Sequence, residues 1–137
     1  MSKNCTLEEI AGLLLKNGSF VLCPHVSPDG DALGSTLALK MALEKAGKQV
    51  TVMVDDDVTK AFGFLPQLDS FVKPDVNNPV VTDLLVVLDA SSLDRIGKVA
   101  QTVKYSAMVN IDHHISNTQY ADYLYLNTEA AATGEIL

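Results

Sequence analysis

Leu84-Leu85-Val86-Val87-Leu88-Asp89 decides how the rest of the chain is read. An unbroken aliphatic run of this length suits a strand buried on both faces, as in a parallel sheet, whereas a half-solvated strand alternates. Two more runs share the character: Ser19-Phe20-Val21-Leu22-Cys23 before it and Ala107-Met108-Val109-Asn110-Ile111 after it. Helix signals lie between such runs. Thr6-Leu7-Glu8-Glu9 fits a capping box, Ile10, Leu13 and Leu14 follow at helical spacing, and Gly18 is a plausible stop. From Asp31 to Ala46 the chain is rich in Ala, Leu, Lys and Met, with Leu33, Leu37 and Met41 at i, i+4 and i+8 and Gly47 to end it. This alternation predicts an α/β fold: a mainly parallel sheet with helices on both faces.

The remaining elements are placed around that frame. Residues 49–54 read as a strand. Residues 55–80 are less regular, broken by Pro66, Pro74, Pro79 and Asn77-Asn78, with a short helix expected near 59–64 and a short strand at 70–73. A short amphipathic stretch follows at 94–103, and Tyr123-Leu124-Tyr125-Leu126 reads as a last short strand. Residues 128–137 open a helix without a C-cap or a closing strand, so the domain is expected to be incomplete at its C-terminus.

Composition bounds the function. With 137 residues, 47% hydrophobic and 20% charged, the chain suits one globular domain with a modest core. No apolar run approaches the roughly 20 residues that span a bilayer. The first residues lack the apolar core of a signal peptide, which together favours the cytoplasm and no membrane partner. Cys5 and Cys23 give neither a disulfide framework nor a metal-type Cys-x-x-Cys, and Cys23, inside a strand run, reads as a buried thiol. The net charge is −7, with 17 acidic against 10 basic residues and Arg95 as the only arginine. Without a basic stripe or an aromatic stacking series, this is not a domain that grips nucleic acid by its own charge. Nucleic acid stays open as a substrate if bound metals supply the positive charge.

All three apolar runs deliver carboxylates or imidazoles at their C-terminal ends: His25, Asp29 and Asp31 around Pro28 and Gly30; Asp89; and Asp112-His113-His114. In open α/β sheets ligands bind beyond those strand ends, so the clusters converge if the strands are neighbours. Aspartates and histidines without thiolates suit Mn²⁺ or Mg²⁺, with Zn²⁺ as an alternative. Three ionised aspartates about 5 Å apart would repel by about 3 kcal/mol per pair at an effective dielectric near 20. Two divalent ions reverse that balance and can activate water against a phosphoester. Each motif alone has a bland reading: Pro-Asp-Gly-Asp is a common turn, Asp89 a helix cap or ribose contact, and a lone His a solvated one. Their coincidence at three strand ends is what favours a metal site. Ser91, Ser92 and Thr133 read as capping or hydrogen-bonding groups, Arg95 as a phosphate contact or a surface ion pair, and Asp55-Asp56-Asp57 as a solvated loop.

The stretches His25-x-x-x-Asp29-Gly30-Asp31-Ala32-Leu33-Gly34-Ser35, Leu88-Asp89-Ala90-Ser91 with Arg95 nearby, and Ile111-Asp112-His113-His114 resemble motifs I, II and III of the DHH phosphoesterase superfamily. The wording is closest to its bifunctional oligoribonuclease and pAp phosphatase branch, itself similar to RecJ-type exonucleases, and the resemblance spans roughly residues 7–137. It implies that His25, Asp29 and Asp89 hold one Mn²⁺ and that Asp31, Asp89 and His113 hold a second, with Mg²⁺ as a substitute. It implies that His114 meets the scissile phosphate while Asp112 orients the imidazoles, and that Gly34 and Ser35 open the helix after motif I, where backbone amides favour an anion; Arg95, near motif II, is the other candidate contact to substrate. The implied activity is hydrolysis of short oligoribonucleotides or 3′-phosphoadenosine 5′-phosphate by a two-metal hydroxide mechanism. The family's fourth motif, with a further Asp ligand, and its substrate-binding second domain have no counterpart within residues 1–137, so this stretch reads as the N-terminal portion of the catalytic domain. A family II inorganic pyrophosphatase and a non-catalytic nucleotide- or partner-binding module remain alternatives. A homodimer through an exposed sheet edge is a further option.

Overall fold

The computed structural model describes residues 3–26, 28–56, 71–130 and 132–133. The chain runs β1 (Lys3–Asn4), α1 (Leu7–Lys16), β2 (Ser19–Pro24), α2 (Gly30–Lys45), β3 (Gln49–Val52), β4 (Val80–Leu88), a 3-10 turn (Leu93–Ile96), α3 (Val99–Thr102), β5 (Val103–Asp112) and β6 (Tyr123–Leu126). The strands form one sheet in the order β1-β6-β5-β4-β2-β3, and every pairing is parallel.

Both faces are covered, as the aliphatic runs require. On one face Phe20, Leu22, Leu84, Val86, Leu88, Val109 and Ile111 pack against Ile10 of α1 and Leu39 and Leu43 of α2. On the other, Val21, Cys23, Leu85, Val87 and Met108 pack against Ile96 of the 3-10 turn and Val99 of α3. Alternate residues of one strand therefore enter opposite cores. Each large aliphatic side chain buried this way contributes about 1.5–3 kcal/mol, which explains why β2, β4 and β5 form the centre of the sheet. Cys23 is fully buried, and burial pushes its thiol well above the ordinary range.

Local signals set the helix ends. Thr6 and Glu9 form the expected capping box, Thr6 Oγ1 accepting from Glu9 N at 3.1 Å and Glu9 Oε1 accepting from Thr6 N at 3.0 Å. Asp29 caps α2, its Oδ1 accepting from Ala32 N at 2.9 Å. Gly47 follows α2 with φ +81°, a conformation that suits glycine.

Four differences from the sequence expectations have physical reasons. β4 begins at Val80 and β5 at Val103, because the pairing continues outward from the aliphatic centre, with Val80 opposite Val103. The amphipathic stretch expected at 94–103 is two short helical turns, broken at Gly97 (φ +61°), where a Cβ would run into the Asp55 carboxylate. The strand expected at 49–54 ends at Val52; Met53 instead forms an isolated bridge with Val72, all that the described residues 71–73 show of the strand expected at 70–73. β1 was not foreseen: Lys3-Asn4 carries no strand signal and is held by its pairing with β6. The helix expected near 59–64 lies outside the described residues, as do residues 131 and 134–137; residues 128–130 form a turn and a bend rather than the expected start of a helix. Among the described residues no helix is long and apolar enough to cross a membrane.

Candidate metal centre

The site follows from the strand order. β2 leads through α2 to β3 on one side, whereas β4 leads to β5 and β6 on the other, and β2 and β4 are paired neighbours. Such a reversal opens a crevice at the carboxyl ends of the two strands. Pro24 lies opposite Leu88 and Leu88 opposite Ile111, so the residues just beyond these three strands gather at one point.

Asp89 sits at the centre and is 3% exposed. Its backbone is left-handed, at φ +63°. A non-glycine residue there costs on the order of 1 kcal/mol, and Asp is among the residues that tolerate it. The turn is anchored by Asp89 N–H donating to Ile111 O at 3.0 Å. It presents the carboxylate between imidazoles: Oδ2 is 3.5 Å from His25 Nε2, and Oδ1 is 3.1 Å from His113 Nε2 and 3.8 Å from His114 Nδ1. Thr133 Oγ1 donates to the same Oδ1 at 2.9 Å.

On one side stand His25 and Asp29. The His25 Nδ1 lies 2.7 Å from the Val26 carbonyl. Only an N–H can bond there, so Nδ1 carries the proton and Nε2 is left as a ligand atom. The Asp89 carboxylate holds the His25 imidazole above its ordinary range, against burial, which works the other way. Asp29 Oδ1 is 3.9 Å from His25 Nε2, and the Asp29 side chain is 66% exposed. His25, Asp29 and Asp89 each offer a donor atom within 4.8 Å of the others.

On the other side stand Asp31, Asp112, His113 and His114. The two imidazoles are neighbours, with ring centroids 4.3 Å apart. Asp112, fully buried, accepts from His114 Nδ1 at 2.6 Å through Oδ1 and from Asn117 Nδ2 at 2.8 Å through Oδ2. Asp89, Asp112, His113 and His114 form a second set of donors within 4.8 Å of one another. Asp31 joins from α2, its Oδ2 lying 3.8 Å from His113 Nε2. Its oxygens accept from Ser35 Oγ and from Thr133 N, each at 3.0 Å.

The two donor sets thus share Asp89. Carboxylates and neutral imidazoles without thiolates are the chemistry that suits hard or borderline divalent ions. A buried carboxylate ringed by imidazoles also calls for compensating charge, so the residues fit a metal centre.

Every residue expected at the metal centre is gathered here. Ser35, expected at the substrate, is buried and engages Asp31. Arg95 is exposed on the 3-10 turn, and its carbonyl accepts from Val26 N at 2.6 Å, tying the loop after His25. Asp55, read as loop, instead accepts from Lys98 N at 2.8 Å and holds the start of α3. Sequence reasoning missed three participants. Thr133 had no role beyond hydrogen bonding, yet it touches both Asp31 and Asp89. Asn117 carried no signal in a polar loop. Asn110 did: it is an amide inside an apolar strand run and is fully buried, and such a group needs partners.

Fold and site together define a parallel α/β domain with a carboxylate–imidazole cluster at its topological switch point. Residues 19–137 match the family described as "DHH family, N-terminal domain", and the chain belongs to the DHH family. The bifunctional oligoribonuclease and PAP phosphatase NrnA of Thermus thermophilus is 32% identical over 120 residues, covering 88% of this chain and 35% of that protein. The probable bifunctional oligoribonuclease and PAP phosphatase NrnA of Streptococcus mutans is 29% identical over 119 residues, covering 87% and 37%. An exopolyphosphatase-related protein from Bacteroides fragilis, known from its crystal structure, has the same fold, with a TM-score of 0.80 and 25% identity over 94% of this chain and 40% of that one. The chain spans about a third of the length of the curated relatives it matches.

Proposed function

We propose that this protein is a metal-dependent phosphoesterase that hydrolyses short oligoribonucleotides or 3′-phosphoadenosine 5′-phosphate. The observation that carries the reading is Asp89, buried and set between His25 and His113 at 3.5 and 3.1 Å. The names of the relatives support the substrate class, as oligoribonuclease and PAP phosphatase. In this reading His25, Asp29 and Asp89 hold one Mn²⁺, and Asp31, Asp89 and His113 hold a second, with Mg²⁺ as a substitute. Bound divalent ions would supply positive charge to the phosphate and acidify water at neutral pH.

The chain's own residues then have distinct tasks. Asp89, which belongs to both donor sets, would serve both ions. His25 offers Nε2 because the Val26 carbonyl keeps the proton on Nδ1. Asp112 accepts from His114 Nδ1 and fixes the ring, which leaves Nε2 to meet a phosphate oxygen or the leaving group. Ser35 steadies Asp31 beside the phosphate, and Arg95 lies on the turn next to the His25 loop. The acidic net charge of −7 leaves the ions as the main attraction for a polyanion. A second, substrate-binding domain belongs to the same proposal, supported by the length of the relatives, as does a cytoplasmic location.

The test is Mn²⁺-dependent release of phosphate or mononucleotide from 3′-phosphoadenosine 5′-phosphate, a ribodinucleotide and pyrophosphate. Turnover of the first two is expected. Cleavage of pyrophosphate alone would make the protein a pyrophosphatase, and nucleotide binding without turnover would make it a binding module.

A further inference from the structure

Beneath the metal centre lies a pair of amides outside both donor sets. Asn110, on β5, is fully buried. Its Nδ2 donates to Val87 O at 3.0 Å and to Ala90 O at 3.3 Å. These carbonyls flank Leu88-Asp89, the step at which the backbone turns left-handed. With Nδ2 committed there, Asn110 Oδ1 accepts from Asn117 Nδ2 at 2.7 Å. Asn117 Nδ2 also donates to Asp112 Oδ2 at 2.8 Å, while Asn117 Oδ1 accepts from Gln119 N at 2.8 Å. Exchanging O and N in either amide would set donor against donor or acceptor against acceptor, so the partners fix both orientations. The loop is closed further by Asn117 N donating to His114 O at 3.1 Å and by Gln119 at φ +56°.

We infer that Asn110 and Asn117 form a positioning relay that orients Asp112, and through it His114, against the same turn that presents Asp89. This rests on the phosphoesterase reading above. Neither amide belongs to a donor set. The Asp112 carboxylate is fully buried, and Asn117 and His114 each occupy one of its oxygens. Removing the Asn117 donor leaves a buried charged oxygen without its partner, a heavily penalised state. The carboxylate then turns toward another donor and no longer holds the proton on His114 Nδ1. His114, whose side chain is 42% exposed, would sample both tautomers and lose its direction at the mouth of the site. Through Asn110 the same bonds reach Val87 and Ala90, so both halves of the centre share one brace.

The experiment compares the unaltered protein with Asn117→Asp and Asn117→Ala. Imidazole ¹⁵N spectra without Mn²⁺ read the His114 tautomer, and kinetics on 3′-phosphoadenosine 5′-phosphate with Mn²⁺ read kcat and KM separately. Asn117→Asp keeps the shape and, while ionised, cannot donate. The unaltered protein should show His114 wholly in the Nδ1–H form, and both variants a tautomer mixture. kcat should fall about 10- to 100-fold, the usual effect of losing such a support, with KM and Mn²⁺ affinity unchanged. A packing role would lower the melting temperature and leave the His114 spectrum as it was; that outcome, with kcat intact, overturns the relay. If neither variant folds, the unaltered protein decides: His114 in the Nε2–H form, or an Asn117 side-chain amide exchanging at the solvent rate, overturns it. Failure to hydrolyse any substrate would sink the phosphoesterase reading but leave the spectra to judge the relay.

Discussion

The two halves of the candidate metal centre are built differently. In the half formed by His25 and Asp29, the main chain sets the geometry: a carbonyl fixes the His25 proton, and Asp29 is the cap of α2. In the half formed by Asp112, His113 and His114, side chains hold side chains, through Asn117 and Asn110 down to the β4 turn. A site held by main-chain groups survives most replacements nearby, because every residue supplies the same carbonyl. A site held by amides depends on particular residues. The shared member, Asp89, is placed by a left-handed turn after β4 that the Asn110 amide braces.

Replacing one imidazole in each half gives the largest contrast. His25→Ala should remove a metal ligand and lower hydrolysis by roughly 10³-fold, a loss of several kcal/mol of metal-ion catalysis, with weaker Mn²⁺ binding in calorimetry. His114→Ala should lower kcat by roughly 10²-fold, the share of a positioned proton donor, while Mn²⁺ affinity stays the same. Equal loss of Mn²⁺ affinity in both variants would erase the distinction between a ligand and a phosphate contact.

The pH dependence of Mn²⁺ binding sharpens the first half. Protons and metal compete for His25 Nε2. Asp89 raises the His25 pKa above the ordinary 6.5, so the protonated form persists to higher pH and opposes the ion. Affinity should therefore rise with pH from 6.5 upward and level off once His25 is neutral. Calorimetry in buffers of different ionisation enthalpy would count the released proton, and His25→Ala should release one fewer. A proton count unchanged by that substitution would remove His25 from the ligand set.

Smaller effects separate structural duties from chemical ones. Asp29→Asn keeps a capping oxygen and should leave thermal stability unchanged while weakening Mn²⁺ binding. Asp29→Ala should lose the cap as well, costing about 1 kcal/mol more in denaturant unfolding. Equal stabilities would mean that the cap contributes nothing. At Asp89, the metal-free Gly variant should be more stable than the Ala variant by on the order of 1 kcal/mol, since glycine tolerates the left-handed backbone. An Ala variant as stable as Gly would show that the turn stores no strain.

What the sequence revealed follows the same division. The aliphatic runs at β2, β4 and β5 disclosed a parallel sheet, because burial on both faces leaves no room for alternation. The residues ending those runs are the ones gathered at the switch point, since strand order brings strand ends together whatever the loops do. The cap of α1 was legible because it uses contacts three residues apart; Asp29 was read as a ligand, and its second duty as the cap of α2 was not. The support of the second half was not. Asn117 reaches Asn110 across seven positions, and Thr133 reaches Asp31 across 102. Nothing local distinguishes such an amide or hydroxyl from an ordinary loop residue. Asn110 was the exception, a polar residue inside an apolar strand that could have been asked what it bonds.

The most direct test of the central claim, that one buried carboxylate serves two ions, is an Mn²⁺ titration of the unaltered protein and of Asp89→Asn, which preserves shape and the left-handed turn. Two ions per chain are expected for the unaltered protein, with both sites weakened together by the substitution and hydrolysis lost with them. Loss of one ion while the other binds as before, or two-ion binding with turnover intact, would contradict a shared Asp89.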